Sequence, residues 1–221
     1  MKNQFLASEG QATRKELLEI KLMKPEIIAI FTFILTMCFT PGPNNILSTF
    51  HTIKFGYKKT IPLHLGMYTG FTFTGSLVAL LADWINQYKN IFNFIVFLGA
   101  GYILFLAGKI AFSPPINIEE DNKQKNLLGF KEGFILQFLN GKAWSHFTTL
   151  MTTVLNPIQP GLKEKLIWNF INSLFGLSAL ITWAVAGIFL KRFFSTPKQA
   201  KCLNIFLGLT LAMLGIYLIF P

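Results

Sequence analysis

Apolar positions along this chain neither alternate nor return on one helical face. They run on in blocks free of Lys, Arg, Asp and Glu at 27–53, 60–82, 90–108, 143–162, 166–190 and 202–221. A bilayer core takes roughly 20 mainly apolar residues per spanning helix. The blocks therefore predict six transmembrane helices near 26–52, 61–82, 91–111, 133–155, 166–190 and 203–220. Connections are short except at 112–131, FSPPINIEEDNKQKNLLGFK, whose proline pair and mixed charge read as an exposed loop.

Two of the predicted helices carry breakers. The first contains FTPGPNNILSTF, in which Pro41 and Pro43 remove backbone donors and free the groups around residues 37–40. In lipid those groups must find partners within the protein. The fourth contains FLNGKAWSHFTTL, again a breaker and an amide followed by a Ser/Thr-rich apolar stretch. Predicted helices 3 and 6 are loosely alike, as FIVFLGAGYILFLAG and LNIFLGLTLAMLGIYL. Three helices per repeat force two repeats into opposite orientations, the plan of many secondary transporters, in which interrupted helices mark the substrate site. The expected fold is thus an all-α integral membrane protein, six transmembrane helices as two inverted three-helix repeats with helices 1 and 4 interrupted. Residues 1–24 form a polar extension, with Met23 as an alternative start. A single transporter domain follows at 25–221, with repeat one at 25–111 and repeat two at 132–221.

Charge adds topology to this picture. The excess of 20 Lys+Arg over 10 Asp+Glu sits in loops, as the positive-inside tendency requires, and no soluble face is long enough for a nucleic-acid footprint. Loops after helices 1, 3 and 5 hold Lys54, Lys58 and Lys59, then Lys109, Lys123, Lys125 and Lys131, then Lys191, Arg192, Lys198 and Lys201. The opposite loops hold Lys89, and Lys163 with Lys165. The first set is expected on the cytoplasmic side and both termini outside, although the basic residues ahead of helix 1 pull the other way unless translation starts at Met23. Cys38 and Cys202 lie in separate apolar segments, which suggests neither a disulfide scaffold nor a paired-cysteine metal site.

Candidate chemistry concentrates at the breaks. If Pro41, Gly42 and Pro43 end one half-helix, Asn44 and Asn45 open the next, whose free N–H groups and positive dipole end suit an anionic group such as a carboxylate. A structural kink repaired by Thr36, Thr40, Asn44 or Asn45 is the competing reading. Asn140 and Lys142 complete the expected substrate site from the second break, with snorkelling as the alternative for Lys142. His64 and His146 could relay a proton, and packing is the competing role for each. Every carboxylate after Ile27 sits at a helix end or in a loop. Gly66, Gly70 and Thr74 read as close helix packing, Trp84 and Trp168 as interface anchors, and Trp144 and Trp183 as wall or core. No nucleophile elbow, zinc-protease or phosphate-loop motif occurs, so neither an enzyme nor a cofactor is expected.

These motifs together resemble the LysE/RhtB family of bacterial amino-acid exporters, from Met23 to Pro221. Pro41-Gly42-Pro43-Asn44 matches its most specific motif, Gly56-Tyr57-Lys58-Lys59 its basic loop, Gly66 and Gly70 its small residues in helix 2, and Gly133, Asn140 and Lys142 its second-half motif. The chain departs at Gly141, where the family usually has proline, and at Thr60, where it often has glycine. The resemblance implies efflux of amino acids or closely related metabolites across the bacterial inner membrane. Partners would be an amino-acid-like small molecule and the lipid bilayer, with proton coupling and homo-oligomer formation left open. The alternatives are an exporter of the same fold for a metal cation or other small solute, and a non-transporting membrane subunit or membrane-embedded enzyme.

Overall fold

The computed structural model describes residues 25–87, 89–113, 127–194 and 196–219. The polar extension with Met23, the loop charges Glu119 to Lys125 and the side chain of Trp84 lie outside the described residues. Within them the chain is helical: α1 Pro25–Phe39, α2 Pro43–Phe55, α3 Tyr57–Gln87, α4 Lys89–Ala111, α5 Phe130–Phe138, α6 Gly141–Thr148, α7 Leu162–Phe193 and α8 Pro197–Ile219. A π-helical turn, Thr149–Val154, continues α6.

Both expected interruptions are present. α1 and α2 meet at 45° across the Pro41–Pro43 break, and α5 stops at Phe138 before α6 restarts at Gly141. Proline at the first position of α2 explains the restart, since its missing N–H has no partner there in any helix. The other helices run several residues past the apolar blocks: α3, α7 and α8 begin in their flanking polar residues and absorb much of the expected connections. By length and apolarity α3, α7 and α8 could each cross a membrane, and the bent pair α1 and α2 makes a fourth candidate span. The described apolar part of α4, Phe97–Ala111, is shorter, as α5 and α6 are individually.

The principal helix pairings are α4 with α8, α3 with α5, α2 with α7 and α3 with α7. Glycine sets the α3–α5 distance. A Cβ on Gly66 would overlap the Phe130 carbonyl, and one on Gly133 would overlap that of Leu63, so the two backbones touch only because both side chains are absent. Two buried apolar clusters result. One, around Ile46, Leu63, Met67, Ile103, Leu136 and Leu207, lies at the end carrying Lys54 and Lys109. The other, around Ile34, Val78, Phe147, Leu150, Met151 and Ala179, lies at the far end. Large apolar side chains such as Phe94, Phe105, Phe189, Phe206 and Met213 point outward, as lipid-facing surfaces require and water-facing ones rarely show.

Candidate functional site

Between the two clusters, the breaks of the two halves interlock. Ending α1 early leaves its last carbonyls without i+4 donors, and each is taken by a side chain. The Asn45 amide donates to the Cys38 and Thr40 carbonyls at 2.9 and 3.0 Å. The Trp183 indole donates to the Phe39 carbonyl at 3.1 Å. Lys142, on α6, donates to the Thr40 carbonyl, the Thr40 hydroxyl and the Pro41 carbonyl at 3.0, 2.9 and 3.3 Å. Its stem lies so close to Gly42 that a Cβ there would come within 2.9 Å of Cδ. Lys142 therefore reaches into the first break rather than out to an interface.

The second break is held in the same manner. The Trp144 indole donates to the Phe138 carbonyl at 3.0 Å, and Asn140 caps α6 by accepting from the Ala143 N–H at 3.4 Å. Gly141 occupies the first helical position after that cap, a place that glycine fills without strain and where proline would also fit. A reciprocal amide pair joins the halves: Asn44 donates to the Gln137 side chain at 2.8 Å, and Gln137 donates back at 3.3 Å. The two asparagines thus differ, Asn45 mending the break and Asn44 bridging to the opposite half.

A cavity of about 50 Å³ opens at this crossing, lined by Met37, Gly42, Asn44, Asn140, Lys142 and His146 among others. It has room for a few water molecules. The Gly42 cap brings no side-chain bond to the first turn of α2, so the positive end of that helix meets the cavity beside the carbonyl end of α1. A much larger space of about 560 Å³, with Lys54, Tyr102, Lys109 and Glu132 on its walls, lies at the basic end. A third space of about 10 Å³ lies between them, sharing Leu47, Tyr102 and Leu106 as walls with the large space and Pro43, Asn44 and Asn140 with the central cavity.

The two candidate relay histidines stand apart. His64 meets the Ser48 hydroxyl at 2.7 Å, and Ser48 donates onward to the Leu180 carbonyl at 3.0 Å, so His64 Nε2 carries the proton in that chain. His146 meets the Asn172 amide oxygen at 3.0 Å, and the Cys38 thiol approaches the same oxygen at 3.5 Å. Among the described residues no hydrogen bond joins the two chains. Sequence reasoning missed His51, although it directly follows the first motif. The Leu128 N–H donates to its Nε2 at 3.2 Å, leaving Nδ1 to donate to Thr60 at 2.9 Å, which gives the departure at Thr60 a structural role. It also missed Gln137 and the buried face of α7 at Lys165, Asn169, Asn172 and Ser173. The available signal was the i, i+3, i+4 spacing of Asn169, Asn172 and Ser173 inside a charge-free block. The remaining tryptophan, Trp168, donates to Gln159 at 2.8 Å.

Comparison with known proteins now adds to this geometry. The family described as LysE type translocator matches residues 35–220. The chain belongs to that family. Among its relatives is the cysteine/O-acetylserine efflux protein of Salmonella typhimurium, 32% identical over 191 residues, which cover 86% of this chain and 95% of the relative. The protein of the same description from Escherichia coli K12 is 31% identical over 195 residues, with the same coverage of both chains. No solved structure matches the chain. Both breaks and the cavity between them fall within the matched residues, so the site described above lies in the shared translocator domain.

Proposed function

We propose that this chain is a secondary transporter that exports amino acids or closely related metabolites across the cytoplasmic membrane. The observation that carries this reading is the crossing of two broken helices, where the carbonyl end of α1 and the amide end of α2 face one small cavity together with Asn44, Asn140 and Lys142. Opposed half-helix ends complement a zwitterion: the carbonyls suit an ammonium and the free amides a carboxylate. The Lys142 side chain reaches the carbonyl side, where a substrate ammonium would compete with it. Among the described residues no group of three His, Cys, Asp or Glu side chains could hold a metal ion, which favours an organic zwitterion over a metal cation. The names of the relatives make cysteine and O-acetylserine the first substrates to test.

The six-span, inverted-repeat arrangement belongs to this proposal. It is supported by the pairing of helices across the halves: α2 packs on α8 as α6 packs on α4, and α3 packs on α7 and α4 on α8. The basic ends of α2, α4 and α7 are placed in the cytoplasm by the positive-inside tendency, which makes the large space near Lys54 and Lys109 the cytoplasmic approach. Proton coupling through His64 or His146 would need a linking group, since their hydrogen-bond chains are separate. The test is efflux of radiolabelled cysteine and O-acetylserine from reconstituted vesicles, comparing wild type with Asn44→Leu and Lys142→Met. Both variants are expected to lose at least about tenfold in rate, the effect of removing a hydrogen bond to a charged group. Full activity in both would refute the site.

A further inference from the structure

The large space lies at the basic end, yet an exporter needs a way out at the other. Toward that end runs a buried polar seam. The face of α7 that presents Lys165, Asn169, Asn172 and Ser173 to the protein interior descends from the cavity level at Gly176 to the far end, about 16 Å at 1.5 Å per residue. Asn172 adjoins the cavity through its contacts with His146 and Cys38, both of which line it. Asn169 donates to the Thr72 carbonyl and to the Ser76 hydroxyl on α3, each at 3.0 Å. At the end of the seam, Lys165 is buried and donates to Asn156 at 3.0 Å.

Two atoms of this seam have no partner: the amide oxygen of Asn169 and the amide nitrogen of Asn172. The residues are 1% and 0% exposed, so neither atom is solvated. The Asn169 orientation is fixed, because only its NH2 group can donate to the Thr72 carbonyl. Buried orphan polar atoms are uncommon and costly, and packing α3 against α7 would be served better by Ala or Leu. The orphans are one acceptor and one donor, three residues apart on one helix face, where side chains sit about 5–6 Å from each other. That pair complements an ammonium and a carboxylate on adjacent atoms. The seam is shut in this conformation: a Cβ on Gly75 would overlap the Asn169 oxygen and lie 2.5 Å from the Phe147 ring.

We propose that Asn169 and Asn172 form an exit-side binding station for the zwitterionic head of an α-amino acid, exposed when α3 and α7 part. Asn169 takes the ammonium and Asn172 the carboxylate as the substrate leaves the central cavity. This rests on the exporter reading, and it adds a second station that the sequence motifs do not mark.

The test uses reconstituted full-length protein and three probes: L-cysteine, cysteamine, which lacks the carboxylate, and 3-mercaptopropionate, which lacks the ammonium. Asn172→Leu is expected to slow cysteine transport about tenfold or more and to erode the preference over cysteamine; Asn169→Leu should do the same with respect to 3-mercaptopropionate. Each substitution removes an orphan atom but also the bonds of the same amide, to Thr72 and Ser76 or to His146, so the altered preference among the three probes, which a packing role would not move, separates a binding role from a packing one. Unchanged rates and preferences in both variants overturn the proposal. A second arm places Asn169→Cys in a Cys38→Ala, Cys202→Ala background and measures labelling by a membrane-impermeant methanethiosulfonate from the side bearing Leu162, with and without cysteine. Labelling that rises with cysteine supports the station, and absent labelling in a transporting protein overturns it. If wild type moves no amino acid but Asn169→Cys still labels from that side, the exporter reading fails while the path through the seam stands.

Discussion

Removing Lys142 and Asn45 separately and together tests the account of the first break, because both side chains donate to one acceptor. The Thr40 carbonyl receives Asn45 at 3.0 Å and Lys142 at 3.0 Å. Asn45→Ala strips the Cys38 carbonyl of its side-chain donor but leaves Thr40 served by Lys142. Lys142→Met orphans the Pro41 carbonyl and leaves Thr40 served by Asn45. Each single variant loses about 1.5–3 kcal/mol, from the bonds broken and the carbonyl exposed. Only the double variant strands Thr40 as well. Thr40 and Pro41 are exposed at the break, where a cavity water can replace part of the missing donor, so the double variant should lose about 1 kcal/mol more than the sum of the singles. The assay is a double-mutant cycle from reversible unfolding in mixed micelles, each variant measured at several denaturant fractions. Additivity within about 0.5 kcal/mol would refute the shared-acceptor account and return Lys142 to an interfacial role.

The close approach of α3 and α5 predicts that Gly66→Ala costs about 1–3 kcal/mol, as overpacking does, because its Cβ would overlap the Phe130 carbonyl. Gly101→Ala, with nothing within 4 Å of its Cβ, should be neutral or gain up to about 1 kcal/mol from helix propensity; equal effects in thermal unfolding would refute the packing argument. At the basic end of α5, Glu132 accepts the Gly129 N–H at 2.8 Å, and that bond holds its carboxyl below the usual range. A depressed carboxylate stabilises above its unfolded pKa, about 4.3, and the contribution fades as pH falls through the folded value. Glu132→Gln should therefore lower Tm by about 1–2 °C at pH 7, corresponding to about 0.5 kcal/mol at this exposed cap. The gap should close in acid, and a pH-independent gap would contradict the mechanism.

Much of the helical frame was legible in the sequence because its causes are local. Charge-free blocks mark where helices can be buried in lipid, and two prolines or an Asn-Gly pair break a helix wherever they stand. So the interruptions at 40–42 and 139–140, the apolar exterior and the close packing at Gly66 followed from composition and spacing. Partner choice did not, because it depends on which side chains from distant segments arrive at the same height. Nothing local to Lys142 says that it closes the end of α1, and nothing local to Asn44 says that it faces Gln137 rather than a solute. The same holds for His51, whose partners are a loop amide and Thr60, and for the α7 asparagines, which read as ordinary polar residues until α3 seals them in. The sequence by itself determined where this chain is apolar, where its helices break and hence its class. The tertiary structure alone decided how the orphaned backbone groups are satisfied and which polar atoms remain for a substrate, because hydrogen bonds are short-ranged and their geometry is set only when the two halves meet.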